Sequence, residues 1–289
     1  MEKDQSREAG TKRIVRCFPL AVQGVNCYFW GDGETGRGFL IDPGERGKEL
    51  LDGIRQQGWT LAGILLTHGH FDHIGGIEGI LAEEEVPVRI HEAGEAYLAD
   101  PALNLSAYFP PAIRLKGAKI FRDGDFLTPG GTGLKGAKTF RDGDCLTLGE
   151  TGLRSAKTFR DGDCLTPGGL GTGKPHTDIE TRGGGAEAGH PRERNAEPPK
   201  AGTVCALEVI HTPGHTPDSV IFYDRAAGLA FTGDTIFAQG GRGNDRFPGG
   251  NGAQLMRSIR ERILTLPPET ILYSGHSEPT TVGAEMRWY

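Results

Sequence analysis

The segment Thr67-His68-Gly69-His70-Phe71-Asp72-His73 constrains this chain more than any other, because it sets three imidazoles and a carboxylate within six positions, His68 to His73. Upstream, Ala62-Gly63-Ile64-Leu65-Leu66 reads as a short buried strand, and downstream Ile74-Gly75-Gly76-Ile77 opens the apolar spacing of a helix. The cluster therefore falls on a strand-to-helix loop, where a sheet edge can hold ligand side chains rigidly. His68 and His70, two residues apart, can converge on one ion. Asp72 and His73, further round the same turn, can face a second. Three of the nine histidines in six positions are too dense for an incidental polar loop, so the segment predicts a metal site.

The flanking chain predicts an α/β fold. Strands are expected at Ile14–Phe18, Asn26–Trp30 and Gly38–Ile41, the last two joined by a hairpin loop over Gly31–Gly36. Lys48–Gln57 carries Leu50, Leu51 and Ile54 on one helical face and stops at Gly58. After the metal loop come a helix over Ile77–Glu84, a strand over Val86–Ile90 and a short helix over Ala93–Ala99. Later strands fall at Leu207–Ile210, Ser219–Tyr223, Leu229–Phe231 and Ile271–Tyr273, with a helix over Ala253–Leu264. Such alternation describes layers of helix against sheet. A net charge of −6 and a pI near 5.9 argue against a nucleic-acid partner. No apolar run approaches the ~20 residues that span a bilayer, so no membrane partner is expected. The charged start, Met1 to Glu8, lacks a signal-peptide core, and five cysteines without a Cys-x-x-Cys pair oppose a disulfide framework. A cytoplasmic protein is expected.

The middle of the chain differs. Ala118-Lys119-Ile120-Phe121-Arg122-Asp123-Gly124-Asp125 recurs as Ala137–Asp144 and Ala156–Asp163, a period of 19 residues. Each copy reads as a β-hairpin about an Asp-Gly turn, and the three together as one genuine hairpin copied twice. A solenoid or a calcium-binding array fits less well, because the bridging segments are glycine-rich and no twelve-residue loop ends in Glu. The expected organisation is a disordered leader (1–12), a first half-domain (13–116), three repeats of which one belongs to the domain (117–173), a disordered linker (174–203) and a second half-domain (204–289).

The late strands each end as the early one does, in a tight turn bearing a metal-type residue: His211-Thr212-Pro213-Gly214-His215-Thr216, Thr232-Gly233-Asp234-Thr235 and Ser274-Gly275-His276-Ser277. Together with the Thr67–His73 loop, this ordered set resembles the metallo-β-lactamase superfamily, and within it the glyoxalase II-like thioester hydrolases. The segments Ile41-Asp42-Pro43-Gly44, Asn104-Leu105-Ser106, Gly241-Arg242 and Phe247-Pro248-Gly249-Gly250 also match. The resemblance covers roughly 13–116 and 204–285. It implies an α/β fold, the αβ/βα sandwich of two mixed sheets flanked by helices, here with the repeat and linker region inserted.

By the same resemblance His68, His70 and His215 bind a first metal, Asp72, His73 and His276 a second, and Asp234 bridges the two. Asp72 and Asp234 are thereby the catalytic carboxylates. Two zinc ions are implied, iron or manganese being alternatives, and a metal-bound hydroxide would attack the substrate carbonyl. The implied substrate is a small-molecule thioester of the S-lactoylglutathione type. A thiol of pKa about 8.5 leaves without a strong general acid, which suits thioesters better than amides. Arg242 or Arg246 could hold a substrate carboxylate or be a solvated loop charge. His211 is spaced from His215 like a helical metal pair, but Pro213-Gly214 forbids that helix, so it reads as structural. His91 reads as an ordinary partly buried histidine. Three departures from the family pattern stand out: a longer Gly240–Gly250 segment, Ser277 in the Gly-His-Gly position, and no counterpart to the helical domain that supplies glutathione contacts. Alternatives are a persulfide dioxygenase-like mononuclear iron enzyme, which would use His68, His215 and Asp234, and a non-catalytic metal-binding scaffold. The sequence leaves the oligomeric state open.

Overall fold

Period-two alternation along the strands sorts their side chains into three apolar layers, and those layers define the architecture. The computed structural model describes residues 12–21, 24–130 and 205–289. All of them fall within the unit Met1–Thr139 plus Pro199–Tyr289, whereas the unit Phe140–Pro198 lies outside the described residues. So do most of the expected leader, the second and third repeats and the 174–203 linker.

The first sheet runs β1 (Arg13–Leu20), β2 (Val25–Asp32), β3 (Arg37–Ile41), β4 (Thr60–Leu65), β5 (Val88–His91) and β6 (Lys119–Phe121), adjacent in that order. Its first three strands are antiparallel and the pairs β3–β4, β4–β5 and β5–β6 parallel. The second sheet contains β7 (Phe126–Leu127), β8 (Leu207–His211), β9 (Val220–Asp224), β10 (Leu229–Gly233), β11 (Ile271–Ser274) and β12 (Thr280–Thr281), in the spatial order β12-β11-β10-β9-β8-β7. Only β10–β11 is parallel in it.

On β2, Cys27 and Phe29 face outward to a helix layer, whereas Tyr28 and Trp30 face the other sheet. On β9, Val220 and Phe222 face inward, and Ile221 and Tyr223 outward. The inner layer, including Phe39, Phe121, Leu207 and Phe231, joins the two sheets face to face. Outside the first sheet pack the apolar stripe of α1 (Gly47–Gln56) and, past the short α2 (Phe71–Ile74), that of α3 (Ile77–Leu81). Further on, α4 (Glu95–Ala99) buries Tyr97 and Leu98. Outside the second sheet lie α5 (Gly252–Ser258), its π-helical continuation Ile259–Ile263, and α6 (Val282–Glu285). The result is two mixed sheets flanked by helices, as the resemblance implies.

One expectation is corrected. The first repeat is not a hairpin: β6 pairs with β5 in the first sheet and β7 with β8 in the second. The Asp-Gly turn does form, with Gly124 at φ 82° and the Asp125 carboxylate accepting from the Arg122 amide at 2.8 Å. Turn chemistry is local, but strand partners are chosen by long-range burial. Phe121 and Leu127 both enter the inter-sheet layer, so the turn steps the chain from one sheet to the other.

Candidate metal centre

Two parallel pairs put their C-terminal ends at the site: β3 and β4 from the first sheet, β10 and β11 from the second. The loop after β4 carries His68 and His70, α2 carries Asp72 and His73, and the turns after β8, β10 and β11 carry His215, Asp234 and His276. The Val220 amide donates to the Thr67 carbonyl at 2.9 Å, tying the first loop to the second sheet. Asn104 fixes the same loop from the other side. Its carbonyl accepts from the Phe71 amide at 2.8 Å, and its side-chain amide donates to the carbonyls of Tyr97 and Ile113.

His68 Nε2, His70 Nδ1 and His215 Nε2 form a triangle with edges of 3.1, 3.2 and 3.0 Å. Three ring nitrogens cannot all satisfy one another this way, since a neutral imidazole carries one N–H and one lone pair. A tetrahedral ion with Zn–N bonds of about 2.0–2.1 Å would hold its nitrogens roughly 3.3 Å apart, close to this triangle. Beside it, His276 Nε2 lies 3.4 Å from Asp72 Oδ2 and 3.4 Å from Asp234 Oδ2. His73 Nε2 lies 3.4 Å from Asp234 Oδ1 and 4.0 Å from Asp72 Oδ2. Asp234 Oδ2 also stands 3.6 Å from His215 Nε2, so one carboxylate reaches both groups. His73 Nε2 and Asp234 Oδ1 are buried without a hydrogen bond, as ligand atoms awaiting a cation would be. Imidazole and carboxylate donors in such sets suit zinc, iron or manganese.

The electrostatics of the two groups differ. Burial, reinforced by neighbouring His73 and His215, drives His68 well below the usual imidazole range. Burial and the charge of His215 bring His70 down to about 3. Burial lowers His215 too, against the pull of Asp234. In the second group burial also disfavours charge, but carboxylates outweigh it. Asp234, Asp42 and Asp72 raise His73 well above its ordinary value, and hydrogen bonds to Asp234 and Asp72 lift His276 to about 10. Asp234 is held well below the carboxylate range because the His73 charge and His276 outweigh its burial.

Four of the five imidazoles also have a polar partner behind them, whereas His70 Nε2 is buried with none among the described residues. His215 Nδ1 donates to the Asn244 carbonyl at 2.8 Å, and His276 Nδ1 to the Gly24 carbonyl at 3.0 Å, leaving both Nε2 atoms as lone pairs once deprotonated. Asp42 accepts from the Thr67 amide and hydroxyl at 2.8 and 2.6 Å, and its Oδ2 stands 3.0 Å from His73 Nδ1. The Thr67 hydroxyl in turn lies 3.2 Å from His68 Nδ1. In the sequence Asp42 is marked only by its place in a matching segment. Its role was discoverable from its place at the end of a strand parallel to the one that feeds the metal loop. Gly243 is required where it is: a β-carbon there would collide with the Asp234 carbonyl and the His215 ring.

His211 is not drawn into the centre. Its Nε2 donates to the Pro217 carbonyl at 2.8 Å, and its ring stacks on His91 at 4.1 Å and 17°. Arg242 and Arg246 are exposed on the Gly240–Gly250 loop, and burial pushes the Tyr289 phenol up to about 12 against the nearby charge of Arg242. Among the described residues no helix is long and apolar enough to cross a membrane.

Residues 20–276 match the family model of the Metallo-beta-lactamase superfamily. The chain is 30% identical to the probable metallo-hydrolase YqgX of Bacillus subtilis over 271 residues, 93% of each protein. It is 43% identical to hydroxyacylglutathione hydrolase GloC of Haemophilus influenzae over 81 residues, 28% of this chain and 38% of that protein. The crystal structure of BLEG-1 B3 metallo-beta-lactamase superposes with a TM-score of 0.65 at 26% identity, covering 95% of this chain and 97% of that one. A matched segment that runs from the end of β1 to His276, on two stacked mixed sheets flanked by helices, settles the relationship: the chain belongs to the metallo-beta-lactamase superfamily.

Proposed function

We propose that this chain is a metal-dependent hydrolase of acyl thioesters, to be tested first on S-lactoylglutathione, the substrate type that the resemblance implies. The observation that carries the reading is Asp234, one carboxylate within reach of both His215 and the His73–His276 group. In this reading His68, His70 and His215 hold one ion, Asp72, His73 and His276 hold another, and Asp234 is shared. Two divalent ions there would supply hydroxide at neutral pH and polarise the thioester carbonyl. The chain's own contribution is orientation: Asp42, the Asn244 carbonyl and the Gly24 carbonyl fix the rings so that lone pairs point inward. A thiolate leaving group needs no strong general acid, which suits the thioester reading. The local similarity to a hydroxyacylglutathione hydrolase supports the choice of thioester. The partner is then a small molecule.

The test is metal content and hydrolysis of S-lactoylglutathione and simpler acyl thioesters by the intact chain. The reading expects close to two ions per chain and turnover lost on chelation. Stoichiometric metal with no hydrolysis of any thioester would overturn it in favour of a binding scaffold.

A further inference from the structure

The loop between Asp234 and α5 sets an aromatic side chain directly beside the cluster. Phe247 leaves 38% of its surface in solvent, yet its ring stands edge-on to two imidazoles of the cluster, 5.6 Å from His70 and 6.4 Å from His215. Covering the part of this ring that faces solvent with an apolar group is favourable. The loop is held firmly around it. Tyr97 Oη donates to the Pro248 carbonyl at 2.6 Å, the Gly250 amide to the Phe247 carbonyl at 2.8 Å, and the Arg246 amide to Asn244 Oδ1 at 3.0 Å. Gly249, at φ 82°, lies so close to Tyr97 Oη and Pro217 that any β-carbon would be excluded. Phe247 is thus a fixed wall beside the cluster. The metal loop presents a second apolar surface on its own account: Phe71 stacks on Phe109 at 4.7 Å and 7°, and Phe109 is 56% exposed.

Resting on the hydrolase reading, we infer that Phe247 is a specificity-determining residue that packs against an apolar acyl chain, so that the favoured substrates are thioesters of unsubstituted alkanoyl groups and not of short hydroxyacyl groups. An acyl chain lying along the ring would shed water from both surfaces, and each methylene so covered strengthens binding. A hydroxyl at the same position would lose its hydrogen bonds to water against a hydrocarbon face.

The experiment uses the full chain and a series with one thiol, the acetyl, butyryl and hexanoyl thioesters of N-acetylcysteamine, plus the lactoyl thioester. Leaving group and carbonyl chemistry then stay constant while the acyl chain grows. The expected result is a kcat/KM that rises by about two- to fourfold per methylene, with butyryl above lactoyl. Phe247→Ala lowers the hexanoyl-to-acetyl ratio by about tenfold, and Phe247→Leu restores most of it. Metal content measured on each variant shows that the site is intact. A flat series, a lactoyl preference, or an unchanged ratio in Phe247→Ala would overturn this inference while leaving the hydrolase reading standing. A metal-loaded chain that hydrolyses none of the series overturns both.

Discussion

The two halves of the centre are built by the same device, a strand ending in a turn, but they are not equivalent. His68, His70 and His215 are buried, keep their nitrogens within 3.2 Å of one another, and have their protonated forms suppressed by burial. Asp72, His73 and His276 are set wider, at 3.4–4.0 Å, and reach the surface at His276, whose side chain is 26% exposed. Burial disfavours charge here too, but Asp234 and its neighbouring carboxylates raise His73 well above its ordinary value and His276 to about 10. A metal ligand must be deprotonated, so the first group is arranged for an ion in advance, and the second must first surrender its protons. The lesson is that equal numbers of ligands do not make equal sites; burial and neighbouring charge decide which one is ready.

The strongest challenge to that contrast is Asp234→Ala. Because this carboxylate serves both groups, its loss is expected to lower metal content at both sites and thioester turnover by more than about a hundredfold, beyond what an orienting partner is worth. Paired variants then separate the halves. His215→Ala should lose the tighter ion, and His276→Ala should keep it and lose only the weaker one, read as ions per chain after dialysis. Asp42→Ala removes the anchor behind Thr67 and His73 without touching a ligand position, and is expected to weaken metal affinity by about 10–100-fold.

A smaller effect concerns Asp218, a fully buried carboxyl beside the metal loop, whose nearest donors, the Thr216 hydroxyl and the Gly69 amide, do not outweigh its burial. Burial pushes it up from 3.8 to about 6. The folded state therefore keeps a proton that the unfolded chain has released, so ionised Asp218 opposes folding above about pH 6, an effect that fades as pH falls toward 3.8. Asp218→Asn should stabilise the chain at pH 8 by roughly 2 kcal/mol and change little at pH 4, read from denaturant midpoints. Least of all, His211→Ala should leave metal loading intact and cost about 1 kcal/mol of stability, for one hydrogen bond and one stacked ring.

Much of this was visible in the sequence. Strands such as Asn26–Trp30 and Leu207–Ile210 alternate between two apolar layers, and their period is local enough to read directly. The seven clustered side chains were legible because the turns that carry them are short and rich in histidine and aspartate. What failed was pairing: Phe121 and Leu127 flank a true turn, yet β6 and β7 belong to different sheets, a choice made by neighbours far along the chain. The tie between Asp42 and His73 spans two strands in the same way. Phe247 stood in the sequence only as part of a matching segment, and its place beside His70 is visible only in the structure.

The most direct test of the two-site account is a calorimetric titration of the metal-free chain with zinc. The account predicts two steps, the first tighter, with the second step absent in His276→Ala and the first absent in His215→Ala. A single one-to-one step in the unaltered chain, or two undiminished steps in either variant, would contradict it.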